Sequence, residues 1–414
     1  MSMLLAAAMV MSSSVNLNDS MPREGSGTSW LPDSSPIHAF MWMPEDAMTM
    51  LHGEVFPRFT RIGGDRDVSA NGRGGRARFD APSMFMLMYA HSLGENDQIG
   101  LHAMASLDPL IEGTYGYPLL YQTGETYHGT SLHDRQHPHD LIDELSATWS
   151  HRVGERQSAY LYLGYPGEPA LGPPMFLHRP SGADIPDAPI GHHWQDATHI
   201  SWGVATIGWS LGSLKFEGSA FSGREPDETR YNFDSPKLDS YSGRVSWNPT
   251  HELALQASHG YLKSPETLEP EISVHRTTAS LIFSHTMPGR TNWSTSVVWG
   301  RNRTAHEGDS DSYLIESAWH RARDTVFVRG EHVQKSGHEL VLAPPLDEQL
   351  FSVNALIAGY IYDVLHRAGG LDVGLGAAIS LGENDRDLDA VYGDGIHTGF
   401  QIFLRIRPAT LGAM

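Results

Sequence analysis

Apolar and polar side chains alternate along most of this chain with the period of two that is typical of β-strands. From residue 48 onward the alternation predicts sixteen strands, most of them long enough for a tilted strand to cross a bilayer. Their predicted ranges are 48–61, 82–92, 97–107, 139–152, 157–165, 196–210, 212–223, 237–248, 251–262, 272–286, 291–303, 311–322, 324–335, 348–364, 369–381 and 395–407. The sequence therefore predicts an all-β fold.

The connections between these predicted strands are of two alternating kinds. Even-numbered strands end in tight turns such as residues 94–97, whose Gly, Asn and Asp favour chain reversal. Odd-numbered strands end in longer loops, which include 62–81, 108–138, 166–195, 223–236, 304–310, 336–347 and 382–394. Short periplasmic turns, long extracellular loops and an even strand number are typical of bacterial outer-membrane proteins. We therefore expect a transmembrane antiparallel β-barrel of about 16 strands in the outer membrane of a Gram-negative bacterium.

The two faces of the predicted strands differ as lipid outside and water inside require. Leu371, Val373 and Leu375 share an apolar face, whereas Asp372 and Gly374 lie on the opposite one. The last strand alternates in the same way and is rich in aromatic residues, which resembles the closing strand of outer-membrane proteins. We therefore expect contacts with outer-membrane lipid and lipopolysaccharide, and recognition by the barrel-assembly machinery.

The N-terminal region differs from the predicted barrel. Residues Met1–Met11 are apolar, as in the core of a secretory signal, so residues 1–25 are interpreted as a signal-like or disordered segment. Residues 26–47 are expected to form a periplasmic or plug segment, residues 48–408 the barrel, and residues 409–414 a C-terminal tail.

Composition narrows the classes of function. The formal net charge is −20, from 29 basic and 49 acidic residues, which argues against a nucleic-acid partner and favours cations. The chain has no cysteine, which excludes disulfides, thiolate metal sites and a Cys nucleophile. No apolar run approaches the roughly 18 residues of a membrane-spanning helix. The sequence leaves open whether subunits form a homo-oligomer.

Methionine and histidine side chains are predicted to share the inner face of the first strands. If Thr49 faces lipid, then Met50 and His52 point inward. The alternation in the third strand turns His102 and Met104 inward as well. Thioether and imidazole groups together suit soft ions such as Cu(I) or Ag(I). The alternative is that methionine is an adaptable apolar filler at these positions.

Two long loops are rich in histidine. Their candidate metal ligands are His128, His133, His137, His139, Asp140, His192, His193 and His199. Imidazole and carboxylate groups suit divalent ions such as Zn or Cu(II). Because neighbouring strands carry the two loops, we expect the loops to approach each other at the pore entrance. The alternative is that these histidines have hydrogen-bonding, structural roles. The sequence defines no certain cofactor, and a Cu or Zn ion is the candidate.

Charged side chains on the inner face of the predicted barrel suggest a function that needs no metal, namely a pore lined by charges. The predicted pore-lining residues are Glu54, Arg58, Arg244, Arg276, Glu316, Arg329, Glu331, Arg405 and Arg407. Rings of such charges set the selectivity of pores. The alternative is that they pair with one another across the barrel.

An enzyme is the competing class of function. The chain has no Gly-x-Ser-x-Gly nucleophile elbow, although Ser131 lies between His128 and His133 in sequence. We therefore assign no catalytic residue and keep an outer-membrane hydrolase only as an alternative.

Six short motifs carry a resemblance to a known family. They are GTSWLP at 27–32, GYPLLYQTGE at 116–125, RQHPHD at 135–140, GEPALG at 167–172, GHHWQD at 191–196 and SVHRTT at 273–278. They resemble a poorly characterised family of Gram-negative outer-membrane barrels found alongside copper and heavy-metal resistance proteins. The resemblance implies an outer-membrane channel or metal-binding protein linked to the handling of such metals. A general diffusion porin for small solutes is the main alternative.

Overall fold

The wall of the protein is a closed barrel of sixteen antiparallel strands, which confirms the predicted fold. A computed structural model describes residues 12–44, 46–305 and 308–411. In chain order its strands are β1 (Ala39–Trp42), β2 (Ala47–Val55), β3 (Arg58–Arg61), β4 (Ala77–Asp80), β5 (Ser83–Ser92), β6 (Asp97–Ala105), β7 (Tyr117–Tyr127), β8 (Thr130–Gln136), β9 (Ile142–Gly154), β10 (Gln157–Gly164), β11 (Val204–Leu211), β12 (Leu214–Phe221), β13 (Ser240–Thr250), β14 (Leu253–Lys263), β15 (Ser273–Met287), β16 (Thr291–Thr304), β17 (Gly308–Arg321), β18 (Asp324–Ser336), β19 (Leu350–His366), β20 (Leu371–Asn384) and β21 (His397–Pro408). Three single-turn helices accompany them, α1 (Asp108–Ile111), α2 (His192–Gln195) and α3 (Asp389–Tyr392).

Two of the wall strands are interrupted by proline. β2 and β3 together form the first wall strand, and β4 and β5 form the second. Pro57 and Pro82 lie at the two interruptions, where each lacks the N–H that a ladder hydrogen bond needs. Their carbonyl oxygens still accept hydrogen bonds, from the backbone N–H of Leu404 at 2.9 Å and of Phe56 at 3.0 Å.

The barrel closes where the last strand meets the first. β21 pairs with β20 on one side and with β3 on the other, with Phe400 opposite Arg61. The short strand β1 pairs with β2 near this seam, and a bridge between His38 and Thr410 joins the two chain ends there. Ala409 is buried, so the described part of the predicted tail lies against the barrel.

Short turns and longer loops alternate between the two ends of the barrel, as predicted. One predicted loop, 304–310, was too long, because β16 continues to Thr304 and β17 begins at Gly308. One predicted strand, 196–210, began too early, because β11 starts at Val204. Ile200 and Trp202 are apolar but face the interior rather than lipid, so the alternation there does not mark a wall strand.

Apolar side chains cover the outside of the wall. Ile207, Ile402 and Trp209 are 68%, 54% and 49% exposed, as expected of residues that face lipid. In the described residues no helix is long and apolar enough to span a membrane.

An N-terminal plug, defined here as residues 12–38, lies inside the barrel. Asn16 donates a hydrogen bond to the Ser210 hydroxyl at 2.9 Å, and Thr28 donates one to Glu217 at 2.5 Å. Residues 12–25, expected to belong to a signal-like or disordered segment, are therefore part of the same buried run as residues 26–38. The predicted signal core, residues 1–11, lies outside the described residues.

Loop 3, defined as residues 165–203, also folds into the barrel, where nearly all of its residues are buried. Arg179 of this loop pairs with Glu316 of the wall at 2.7 Å and with Asp196 of the loop itself at 2.6 Å. Leaving a buried charge without its partner costs about 3–5 kcal/mol. The Arg179–Glu316 pair therefore links loop 3 to the wall, and the Arg179–Asp196 pair links two parts of the loop.

Candidate functional site

The nine predicted pore-lining residues all lie on the inner side of the wall and are buried. Several of them contact the plug or loop 3. Arg58 pairs with Asp187 of loop 3 at 2.6 Å, and Glu331 accepts a hydrogen bond from the backbone N–H of Gly191 at 3.0 Å. Arg405 pairs with Asp184 of the same loop. These charges therefore anchor infolded segments, and their role in lining an open path stays a prediction.

The inward methionines form one apolar cluster near the plug. Its buried methionines are Met21, Met48, Met50, Met84, Met86, Met88 and Met104. The imidazoles of His52 and His178 lie beside it, with ring centroids 5.3 Å apart, and both line a cavity with Met50. His102 is instead held by the plug, because its Nε2 lies 2.6 Å from the Ser14 hydroxyl. Met21 of the plug packs within this cluster, so the methionines of the wall also form an apolar surface that the plug contacts.

Loops 2 and 3 bring five histidines together. Loop 2, residues 106–141, contains the β7–β8 hairpin and supplies His137 and His139, while loop 3 supplies His192, His193 and His199. We call these five residues the imidazole cluster. Ring centroids are separated by 5.7 Å for His137–His193, 5.4 Å for His139–His199, 5.1 Å for His192–His199 and 5.6 Å for His192–His193. All five line one small cavity.

Three rings of the imidazole cluster are oriented by oxygen atoms at Nδ1. His139 Nδ1 lies 2.9 Å from an Asp108 carboxylate oxygen, and His192 Nδ1 lies 2.5 Å from an Asp196 carboxylate oxygen. His199 Nδ1 lies 2.9 Å from the Asp196 carbonyl oxygen. Such partners fix the tautomer with hydrogen on Nδ1 and leave Nε2 as the free ligand atom, as in many protein metal sites.

Several nitrogen atoms of the cluster have no hydrogen-bond partner. Nε2 of His193 and of His199, and Nδ1 of His137, are buried and unpartnered. Buried polar atoms are normally satisfied, and an exception needs an explanation such as a bound ion or water. The unpartnered nitrogens are therefore available to a bound ion or water.

Burial keeps most of these imidazoles neutral. It lowers the pKa of His137, His192 and His199, and it brings the pKa of His193 to about 4. Burial also lowers the pKa of His139, but the hydrogen bond to Asp108 together with the negative charges of Asp108, Asp143 and Glu125 outweighs this and raises the pKa to about 9. Four of the five rings thus carry a lone pair at neutral pH, as a metal ligand must, and His139 would release its proton on binding an ion.

The other histidine-loop candidates lie outside this cluster of rings. His128 lies edge-on to Tyr127, with ring centroids 4.2 Å apart, and is exposed. His133 pairs with Asp134 at 2.9 Å. Asp140 borders the same cavity but pairs with Arg230 at 3.3 Å. The structure thus brings together five of the eight predicted loop ligands as adjacent rings.

Carboxylates that the sequence did not single out complete the site. Asp108 and Glu125 come from loop 2, whereas Glu225 and Glu266 come from the loops after β12 and β14, so no motif spacing connects the four with the histidines. His137 Nε2 lies 3.1 Å from Glu125, and His193 Nδ1 lies 3.4 Å from Glu225. Only the folding of loops 2 and 3 into the lumen makes them neighbours.

The hydrolase alternative gains no support from the geometry around Ser131. Ser131 lies opposite Thr126 in the β7–β8 hairpin. Across the described parts of the chain, no hydrogen bond joins its hydroxyl to an imidazole. The base within hydrogen-bond reach that a serine nucleophile uses is therefore not in place.

Barrel and inner loops together define a sixteen-stranded antiparallel β-barrel with an occupied lumen. No family model and no curated protein matches the chain. Among solved structures it is similar to Salmonella typhi OmpF in complex with daunomycin, at 9% identity and a TM-score of 0.52 over 88% of this chain and 99% of that one. It is also similar to Pseudomonas putida OprB, at 9% identity and a TM-score of 0.52 over 87% and 94% of the two chains. The outer membrane channel DcaP of Acinetobacter baumannii matches at 12% identity and a TM-score of 0.47 over 88% and 99%. The first two likenesses support the fold alone.

Proposed function

We propose that this protein is an outer-membrane barrel of the porin type that binds transition-metal ions inside its lumen, at the imidazole cluster. The observation that carries the proposal is the contact of five imidazoles from two infolded loops, with carboxylate or carbonyl partners at Nδ1 of three of them. Zn(II), Cu(II) and Ni(II) are the ions that imidazole suits best.

The surroundings of the cluster favour an ion over a purely structural role. Asp196 is paired both with His192 and with Arg179, so it holds His192 in place while its own charge is compensated. His139 Nδ1 faces Asp108 from the opposite side of the cavity. These oxygen partners orient the rings without filling the space between them, which is how second-shell groups prepare a metal site.

The cellular location of the protein is inferred from the lipid-facing surface of its barrel. A continuous band of exposed apolar side chains requires a bilayer, and a closed barrel is the form in which strands span one. We place the barrel in the outer membrane, with lipid and lipopolysaccharide as its surroundings and with assembly by the barrel-assembly machinery. Association of subunits into a homo-oligomer is compatible with this location.

The experiment is a metal titration of the full chain in detergent micelles. We expect saturable binding of Zn(II) or Cu(II) by calorimetry, and at least about tenfold weaker binding for His139→Ala and for His199→Ala, because each removes one oriented ligand. His128→Ala is the matched control, since this imidazole is exposed and contacts Tyr127 edge-on, outside the imidazole cluster.

Equal affinities for the wild type, His139→Ala and His199→Ala would contradict the proposal. Folding of each variant is checked by the heat-dependent migration of the barrel in gels. Cu(I) titration of Met50→Ala and Met104→Ala tests the methionine cluster separately, and unchanged Cu(I) binding would leave those residues with a packing role only.

A general diffusion porin is the second candidate function, and the fold favours it. In that case the protein would conduct small solutes in planar bilayers, and His139→Ala would leave the conductance and its response to Zn(II) unchanged. Under the metal-binding proposal, Zn(II) alters the wild-type current but not the current of His139→Ala.

A further inference from the structure

An acidic cavity lies between the mouth of the barrel and the imidazole cluster. Glu266 and Glu269 of loop 5, residues 264–272, line it together with His338 and Glu339. His193 and Glu125 line this cavity and also the small cavity of the imidazole cluster. The acidic cavity therefore adjoins the cluster at His193.

At this junction three potential ligands converge. One nitrogen of His193 and one carboxylate oxygen each of Glu225 and Glu266 all lie within 4.8 Å of one another. The three residues belong to loop 3, loop 4 (residues 222–239) and loop 5, so three separate connections fold toward one point. Two carboxylates and one imidazole at this separation can be drawn together by a single divalent ion.

The buried members of the group have no other partner. Both carboxylate oxygens of Glu225 are buried without a hydrogen bond, and so is Nε2 of His193. Glu225 is 7% exposed and His193 is 6% exposed, so bulk water does not satisfy these atoms. A buried carboxylate without a hydrogen bond or counter-ion is costly, and a bound cation removes that cost.

Two guanidinium groups attract the Glu225 carboxylate. Arg230 of loop 4 is already paired with Glu125 and Asp140, and the other guanidinium belongs to the wall. Arg276 is buried beside this cavity, but its Nε donates to the Asn302 side chain at 3.0 Å. In the described residues, no ion pair within 4.0 Å joins Arg276 to Glu225. The carboxylates around the site outnumber this guanidinium, so the local charge still favours a cation.

We propose that His193, Glu225 and Glu266 form a second, outer site for a divalent transition-metal ion, which captures the ion from the acidic cavity. The site rests on the proposed function, because His193 also contacts His137 of the imidazole cluster, and an ion released from it enters that cluster. One imidazole with two carboxylates is a ligand set that suits Zn(II), Mn(II) or Fe(II).

The geometry of His193 supports the transfer. Nδ1 faces Glu225 at 3.4 Å, and the ring lies edge-on to His137 with centroids 5.7 Å apart. His193 therefore stands between the outer site and the inner rings. Its neighbour His192 contacts both His193 and His199, which continues the series of imidazoles inward.

The test counts Zn(II) ions bound by the full chain in micelles, by equilibrium dialysis and elemental analysis. We expect two ions for the wild type and one for Glu225→Gln and for Glu266→Gln, with at least tenfold weaker binding of the lost ion. Glu269→Gln is the matched control in the same loop, because Glu269 is already engaged with His338. We expect it to keep both ions.

The outcomes separate this inference from the proposed function. If the wild type binds one ion that is lost in His139→Ala but kept in both Glu→Gln variants, the outer site is disproved and the inner site stands. If that one ion is lost in the Glu→Gln variants and kept in His139→Ala, the imidazole cluster is disproved as a site. No bound ion in the wild type overturns both.

Discussion

The backbone at Gly124 allows the His193 ring to sit where it does. Gly124 has a φ of 104°, and a Cβ there would lie 2.5 Å from both Cε1 and Nε2 of His193. A side chain at this position must therefore move the imidazole. The absence of a side chain at Gly124, in the β7–β8 hairpin, therefore leaves the room that His193, a proposed ligand in loop 3, occupies.

We predict that Gly124→Ala weakens Zn(II) binding about tenfold, because displaced ligands lose about that much affinity. Gly129→Ala is the control, since Gly129 also has a positive φ of 73° but has open space where the Cβ would lie. Calorimetry of both variants checks the prediction. Equal weakening in the two would show that backbone strain, not the His193 contact, is responsible.

A carboxylate of loop 4 makes a pH-dependent contact with the tip of the same hairpin. Glu228 accepts hydrogen bonds from the backbone N–H of His128 at 2.6 Å and of Gly129 at 2.8 Å. Burial raises the pKa of Glu228, but the hydrogen bonds from Thr126, Gly129 and His128 outweigh it and lower the pKa below its usual value. The contact is therefore complete above the unfolded pKa of about 4.3 and is lost as the pH falls through the lower folded value.

We predict that the hydrogen-exchange protection factors of the His128 and Gly129 amides fall when the pH is lowered below about 4.3. Glu228→Gln retains an oxygen acceptor but has no proton to gain in this range. Its protection factors are therefore expected to be independent of pH. A pH dependence that persists in Glu228→Gln would assign the effect to another group.

At the scale of elements, the plug and loop 3 are two segments that fold into the lumen and contact its wall. The plug contacts wall strands β11 to β13, through Ser210, Glu217 and Asn248. Loop 3 contacts β17, β18 and β21 through Glu316, Glu331 and Arg405. The two segments also contact each other, because the backbone N–H of Met175 in loop 3 donates to the Ser26 hydroxyl of the plug at 2.8 Å. Each nevertheless has wall contacts of its own.

We predict that deletion of residues 12–36 increases the single-channel conductance in planar bilayers. Glu217 and Arg244 contact the plug but also pair with each other at 2.8 Å, so the wall keeps this ion pair without it. The bound Zn(II) is expected to be unchanged, because the imidazole cluster belongs to loops 2 and 3. An unchanged conductance would show that the plug does not limit the path.

The sequence predicted elements well where a strand separates lipid from the interior. Leu371, Val373 and Leu375 could be read as lipid-facing because that environment imposes a period of two. Inside the lumen no such environment exists, so Ile200 and Trp202 were wrongly assigned to a strand although they are buried in loop 3.

At the scale of the whole molecule, the candidate site was only partly visible in the sequence. The approach of the two histidine-rich loops could be predicted, because neighbouring strands carry them. The contributions of Glu225 and Glu266 could not, because their positions depend on how loops 4 and 5 fold over the mouth. Likewise, nothing in the sequence pairs Arg405 with Asp184, which lie 221 positions apart.

The most direct measurement is a crystal structure of the Zn(II)-loaded protein, with anomalous diffraction data collected at the zinc edge. The account predicts an anomalous peak inside the lumen, among His139, His192 and His199, with Zn–N distances of about 2.0–2.1 Å. Peaks confined to exposed surface residues, with the interior cluster empty at saturating Zn(II), would contradict it.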